Sequence, residues 1–413
     1  MKKIKHVLFI SYDGMTDPLG QSQVIPYLAG LTKYSYQFTI LSCEKKSKYK
    51  KNHSYVEKML GPYPIEWVPV TYHKIPPVLS SVYDYLNLRR MAAVLHKKRN
   101  FDMVHTRPGV PTLVALWLKK RFGIKFLNDI RGFWADERVD GGMWNLKNPL
   151  FKSLYLFFKK HETECIKKAD HNVCLTYKAR EEILRWPQLS SIKINIEVIP
   201  CSVDLELFDP ARTVAHDTSE LKAELNINAD DFILSYLGSI GGWYLVDEMM
   251  EFFKVLLTVI PNSKFLFISP HRHDVITSRA SKFGIAADKI ISREGRRDEI
   301  PALLSLSSFS IFFIRKCYSK ISSSPTKHGE IMAMGVPVIT NDGVGDVKMI
   351  VEKYQSGIVL PKMDEANYRN ALTMITSGTG FNKSGIREGA KEFYSLNKAV
   401  QKYRGVYDQI LNS

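Results

Sequence analysis

Short apolar runs alternate with helical stretches along most of this chain, and the alternation starts afresh about half-way. HVLFIS, FTILSC, DMVHT, KFLNDI and HNVCLT are β-branched or apolar runs of strand length, separated by longer helical segments, and EVIP closes the series. Then FILSYLG, a glycine-containing SIGGWY loop, the amphipathic LVDEMMEFFKVLLTVI and KFLFIS form one complete strand–helix–strand unit, continued by KIIS, FSIFFI and VPVIT. Strands alternating with helices specify parallel sheets covered on both faces. At 413 residues the chain also exceeds what one core usually supports. The expected fold is α/β, with two successive Rossmann-like, doubly wound domains over 1–203 and 204–390. The proline- and acid-bearing VIPCSVDLELFDPAR links them. A terminal segment, 391–413, is expected to pack back on the first domain, within a helical stretch from about Ile386 to Leu411. Ligands bind beyond the carboxyl ends of such strands, so two units facing each other enclose a cleft. The architecture alone names no reaction.

Bulk properties narrow the function classes. The opening MKKIKHVLFIS has a basic lead, but its apolar run VLFI is too short for a signal-peptide core and reads as the first buried strand. No stretch reaches the roughly 20 apolar residues of a membrane-spanning helix. Five scattered cysteines (Cys43, Cys165, Cys174, Cys201 and Cys317) form neither a disulfide framework nor a zinc motif, which fits a reducing cytoplasm. A net charge of +16 admits nucleic acid, an anionic membrane or phosphorylated substrates as partners. Nucleic acid is disfavoured, because no binding module and no basic–aromatic interleaving is present. Groups such as Lys97-Lys98-Arg99 and Lys119-Lys120-Arg121 stand where helices end, and compensation of the helix dipole accounts for them.

The segment SSSPTKHGEIMAMGVPVI, 322–339, carries the densest chemistry. Ser324 suits an N-cap, Pro325 the first helical position, and Thr326 follows; Gly335 ends the helix before a buried strand. Lys327 lies in the first turn, where the helix dipole disfavours a cation unless an anion is bound there. Glu330 precedes an apolar stretch, and its carboxylate needs donors that a ribose diol supplies. An exposed lysine and a boundary glutamate are the bland alternative.

Three loops at strand ends add candidates. The loop after FILSYL contains Gly238, Ser239, Gly241 and Gly242, whose backbone N–H groups suit an anion, although a tight turn is the simpler alternative. DPLGQSQV places Gly20 where backbone approaches closely, with Gln21 and Ser22 opening a helix that runs to about Tyr34. NDIRGFWADER packs Asp129, Arg131, Asp136 and Glu137 around Phe133 and Trp134, as a reaction-centre cluster or as a structural salt-bridge network. His105 has a weaker claim.

These segments together resemble glycosyltransferase family 4, the retaining GT-B enzymes, over nearly the whole chain. The family carries two glutamates eight positions apart before an alanine/methionine run, a glycine and P-V-I. Glu330 matches the second, the ribose contact, and Ser322 stands in place of the first. VIPCSVDLELF resembles the segment joining the two domains. In the family's second glycine loop an arginine and a lysine reach the donor diphosphate; Ser239 and Tyr244 occupy those positions here. The cationic charge then falls to Lys327 in preference to Arg315 or Lys320. Arg131 stands near the position of a family histidine beside the reaction centre.

The resemblance implies transfer of a sugar from a nucleoside-diphosphate donor to a glycan or lipid-linked acceptor hydroxyl, with retention, in surface polysaccharide or glycolipid assembly. Lys327, Arg131 and Asp129 are the catalytic candidates. Gly20, Gln21, Gly238, Ser239, Gly241, Gly242, Ser324, Thr326, Lys327 and Glu330 are the donor-binding ones. No Asp-x-Asp occurs, so neither metal nor cofactor is expected. A nucleotide-sugar epimerase and a non-enzymatic binder of polyanions or lipid are the alternatives. The stretch NPLFKSLYLFFKKHETECIKK reads first as a core helix and second as a peripheral contact with the inner face of an anionic membrane.

Overall fold

The computed structural model describes residues 4–214, 218–377 and 380–412, and they form two compact units. Unit 1 comprises Met1–Pro200 and Leu396–Ser413, and unit 2 comprises Cys201–Ser395, against boundaries expected after 203 and 390. The strands of unit 1 are β1 (Lys5–Ser11), β2 (Tyr36–Glu44), β3 (Ile65–Thr71), β4 (Met103–Thr106), β5 (Lys125–Ile130), β6 (His171–Cys174) and β7 (Ile196–Val198). They form one parallel sheet in the order β3-β2-β1-β4-β5-β6-β7. Unit 2 holds β8 (Phe232–Leu237), β9 (Ser263–Ile268), β10 (Ile290–Arg293), β11 (Phe309–Phe312), β12 (Val338–Asn341) and β13 (Gly357–Leu360), ordered β10-β9-β8-β11-β12-β13. In each sheet the order reverses beside the first strand, between β1 and β4 and between β8 and β11. That reversal opens a crevice at the carboxyl edge of a doubly wound sheet. The apolar runs are buried as expected: Val7, Leu8 and Ile10 in β1, and Leu234 and Tyr236 in β8, are inaccessible.

Several local expectations give way. The helix expected over Gln21–Tyr34 is two, Pro18–Gln23 and Ile25–Thr32, broken at Val24 (φ −127°, ψ −65°). The first therefore opens at Pro18, and Gln21 and Ser22 lie inside it. Strands β3 and β13 went unread: β3 is a half-buried edge strand containing Pro69, and β13 is only four residues long. The C-terminal stretch is two helices, Lys383–Phe393 and Leu396–Leu411. The second packs in unit 1, burying Val400, Tyr403, Val406 and Tyr407 against Leu28 and Phe38. The Pro149–Lys168 helix is a core helix only in its second half, where Phe158, His161, Cys165 and Ile166 are buried; Leu150, Leu156 and Phe157 are exposed. Basic residues close the last turns of Leu79–Arg99 and Val110–Phe122, as dipole compensation requires.

Candidate active site

In unit 2 the crevice between β8 and β11 is bounded by the glycine loop that leaves β8 and by the chain that leaves β11. Gly238, Gly241 and Gly242 have φ of +123°, +88° and +65°, so the loop takes a left-handed course open to glycine. Tyr236 Oη donates to Ser239 O at 2.6 Å and ties the loop to the end of β8. Ser239 and Gly242 are exposed. From the β11 side, Arg315 stands over the ring of Trp243 at 5.1 Å and Lys320 Nζ at 3.8 Å, so both cations pack on the loop's aromatic residue.

The helix after β11 spans Thr326–Ala333, with Pro325 as its cap residue and no side-chain cap. Ser324 is not the N-cap: its Oγ accepts from the Cys201 N–H at 3.2 Å, at the start of unit 2. Thr326 and Lys327 are the first two helical residues, so the positive end of the dipole lacks a capping side chain. Gly335, with φ +69°, follows the helix as expected, because a β-carbon there would meet Lys383 O at 2.9 Å. Arg387 bonds the Ala333 carbonyl at 2.5 Å, placing a cation at the negative end.

Lys327 is buried. Its Nζ lies 3.6 Å from the Tyr244 ring centroid and 4.4 Å from that of Tyr236, and donates to Tyr236 Oη at 3.4 Å. A β-carbon on Gly238 would stand 2.8 Å from that nitrogen. Among the described residues no carboxylate pairs with it. Burial pulls its pKa down to about 7, with Glu330 pulling the other way. Tertiary packing therefore brings Lys327 under the glycine loop, against the rings of Tyr236 and Tyr244.

Glu330 is buried one turn further on, but its donor is already present in the protein: Arg297 Nη1 bonds Glu330 Oε1 at 2.7 Å. Arg297 follows β10, and its guanidinium lies 5.2 Å from the Phe208 ring centroid. The sequence reading missed Arg297; its only trace was the Arg296-Arg297 doublet just after a strand. Ser322 is buried in the 3-10 turn Tyr318–Ser322 and donates to Ser319 O at 2.7 Å.

In unit 1, the loop after β1 is organised by Glu44, which sequence reading also missed. Buried at the end of β2, Glu44 accepts from the N–H groups of Met15 and Thr16 at 2.7 and 3.2 Å and from Ser42 Oγ at 2.6 Å. Gly20 does meet backbone closely, but the backbone is the chain's own: a β-carbon would stand 2.4 Å from Gly14 O. Gln21 reaches back to Thr16 O at 3.3 Å.

Asp129 and Arg131, at the end of β5, belong to a buried network. Tyr403 Oη donates to Asp129 Oδ2 at 3.0 Å, His105 Nε2 lies 3.4 Å from the same oxygen, and Arg107 and Arg131 stand 4.0 Å away. Burial raises the Asp129 pKa, but Arg131, His105 and Arg107 outweigh it and hold the carboxyl below its usual value. Arg131 also donates to Gln23 Oε1 at 3.2 Å. His105 Nδ1 meets Tyr407 Oη at 2.8 Å, and burial lowers its pKa. Asp136 is turned elsewhere, to Tyr155 and Lys159 at 2.9 and 2.8 Å. Each of these charged groups thus faces a partner within the protein, although Asp129 Oδ1 itself accepts no hydrogen bond among the described residues.

Comparison with known proteins follows the same division. Residues 27–207 match the model of Glycosyltransferase Family 4, and residues 217–391 that of Glycosyl transferases group 1. The chain belongs to the family 4, group 1 glycosyltransferases. It is a nucleotide-sugar-dependent transferase, which answers the choice between an enzyme and a polyanion-binding protein. No curated protein sequence matches it. Among solved structures, sucrose-phosphate synthase from Thermosynechococcus elongatus is 15% identical at a TM-score of 0.70, over 99% of each chain. Anabaena HepE in complex with UDP and glucose is 13% identical at 0.68, over 97% of this transferase and 99% of that chain. WaaG, a glycosyltransferase involved in lipopolysaccharide biosynthesis, is 13% identical at 0.66, over 98% and 99%. At these identities the likeness is one of fold, the two-domain α/β architecture of GT-B transferases.

Proposed function

We propose that unit 2 binds a nucleoside-diphosphate sugar with its diphosphate between the Gly238–Gly242 loop and the first turn of the Thr326–Ala333 helix. The observation that carries this reading is Lys327, a buried ammonium under a glycine loop that no carboxylate among the described residues pairs with. A bound diphosphate supplies the missing anion, and the charge that builds as it leaves the sugar is met by Lys327 and backbone N–H groups, without a metal ion. Glu330 takes the ribose hydroxyls. Arg131 and Asp129 order the end of β5 beside the acceptor, which we assign as a glycan or lipid-linked hydroxyl. Retention follows from family membership. Uridine is the first base to test, since HepE is seen with UDP and with UDP-glucose.

The setting we assign is surface polysaccharide or glycolipid assembly in the cytoplasm, with peripheral contact to the inner face of an anionic membrane. WaaG's role in lipopolysaccharide biosynthesis supports the first part. The exposed Leu150, Leu156 and Phe157, beside Lys152 and Lys160, support the second. No helix among the described residues is long and apolar enough to cross a membrane.

A thermal-shift panel of nucleoside diphosphates and their sugar conjugates tests the donor site: one base should raise the melting temperature saturably in wild type and far less in Lys327→Ala. A Lys327→Ala enzyme with unimpaired donor turnover, or release of an altered sugar nucleotide in place of free nucleoside diphosphate, would overturn the reading. Flotation with liposomes, with and without anionic lipid, tests the membrane contact.

A further inference from the structure

Lys327 and Glu330 stand three residues apart on one helix, the spacing at which opposite charges ordinarily pair. No such pair forms here. The Glu330 carboxylate is held instead by Arg297, from the loop after β10, at 2.7 Å. The neighbouring acids of that loop are taken by the neighbouring arginine: Arg296 pairs with Asp298 at 3.5 Å and with Glu299 at 3.8 Å. Arg297 is thereby left for Glu330, and its guanidinium is steadied by the face of Phe208.

We propose that Arg297 is a positioning residue of the donor site: by holding Glu330 it fixes the carboxylate for the ribose and withholds it from Lys327. The inference rests on the donor-site reading above and extends it. Were Glu330 free to turn back along its own helix, it would neutralise Lys327, and the corner under Gly238 would lose its attraction for a diphosphate. With Arg297 in place the three groups leave one net positive charge next to the glycine loop. The planar guanidinium suits this task, since it fixes a carboxylate's orientation as well as its position.

The test is calorimetric titration of uridine and guanosine diphosphates and their 2′-deoxy counterparts into wild type, Arg297→Ala, Arg297→Lys, Glu330→Gln and the Arg297→Ala/Glu330→Gln double variant. Wild type should prefer the ribose form of its nucleotide by about tenfold, the worth of a hydrogen bond to a charged group. Arg297→Ala should weaken binding by about tenfold and bring the ribose preference close to one, the size expected when a charge-assisted contact is lost. The double variant should bind the diphosphate more tightly than Arg297→Ala, because an amide cannot neutralise Lys327, while its ribose preference stays near one. Arg297→Lys, which keeps the charge but not the fork, should retain part of both effects and guards against a variant that simply fails to fold. An unchanged ribose preference in Arg297→Ala, or a double variant no tighter than the single, would overturn the proposal. Wild type that binds none of these nucleotides would overturn the donor-site reading itself.

Discussion

Gly238 and Lys327 are fitted to each other: a β-carbon on the glycine would stand 2.8 Å from the lysine Nζ, in a backbone conformation of φ +123°. Gly238→Ala should therefore both strain the loop and press on the ammonium, destabilising the protein by about 1–3 kcal/mol and raising the donor KM. Gly241 also has positive φ, but open space around it, so Gly241→Ala should show the strain with a much smaller effect on KM. Melting temperatures and donor KM values for the two variants decide the point; equal KM values would remove the proposed contact between loop and lysine.

Donor affinity should fall as pH rises above about 7. The free Lys327 has its pKa lowered to about 7, so above that pH it is largely neutral and a proton must be taken up when an anion binds. The titratable groups facing it are Tyr236 from β8, Tyr244 from the loop and Glu330 from its own helix, and burial keeps both tyrosines protonated through this range. Affinity should drop by up to about tenfold per pH unit between 7 and 9. In Lys327→Arg, which stays charged, the slope should flatten. A pH-independent dissociation constant in wild type would count against Lys327 as the diphosphate cation.

Lys327→Met should stabilise the ligand-free protein while weakening nucleoside diphosphate binding. A buried cation that no carboxylate pairs with costs stability, and an apolar side chain of similar length removes that cost, by about 1–3 kcal/mol. Denaturant titration with and without nucleotide measures both changes in one experiment. A less stable Lys327→Met protein would show that the lysine serves the fold.

The network around Asp129 predicts stability effects that outrun effects on chemistry. Tyr403→Phe removes the hydroxyl that donates to Asp129 and should cost about 1–2 kcal/mol. Asp129→Ala leaves Arg107, Arg131 and His105 facing one another and should cost about 3–5 kcal/mol. Specific activity per folded molecule should stay within about twofold in Tyr403→Phe, a change too small for a lost transition-state contact. A large fall in kcat with unchanged stability would return Asp129 to direct catalysis.

Acid should weaken the fold through its buried histidines. Burial lowers the pKa of His161 from 6.5 to about 4 and that of His328 from 6.5 to about 3. Both are neutral in the folded chain, so their contribution is intact above about 6.5 and is lost as pH falls toward 4 for His161 and 3 for His328, where the unfolded chain binds protons that the folded one refuses; Glu162, its carboxyl raised to about 7 by burial, offsets part of this loss. Melting temperature should decline across pH 6.5 to 4, and less steeply in a His161→Gln variant.

Much of this site could be read locally. Glycines in a loop after β8, Lys327 in the first turn of a helix and Gly335 at its end all follow from residue type and short-range spacing, as do the buried runs of β1, β2, β8 and β9. The misses have separate causes. Ser324 has the chemistry of an N-cap, yet its hydroxyl serves the Cys201 N–H, a partner far away along the chain. Pro18 takes the first helical position, so Gln21 and Ser22 lie inside the helix and do not open it. The edge strands β3 and β13 lack the long apolar run that two buried faces impose.

By itself the sequence determined the two doubly wound sheets, their parallel strands, the glycine loop and the first-turn lysine, because periodicity and turn chemistry act over a few residues. Tertiary structure decided which charges meet: Arg297 with Glu330, Glu44 with the Met15 and Thr16 amides, Tyr403 with Asp129. Those meetings depend on strand order and on which ends of distant strands lie side by side, and nothing in short-range spacing encodes them. Lys327 shows the division most plainly: its place on a helix is local, but its burial under Gly238 is a consequence of the sheet.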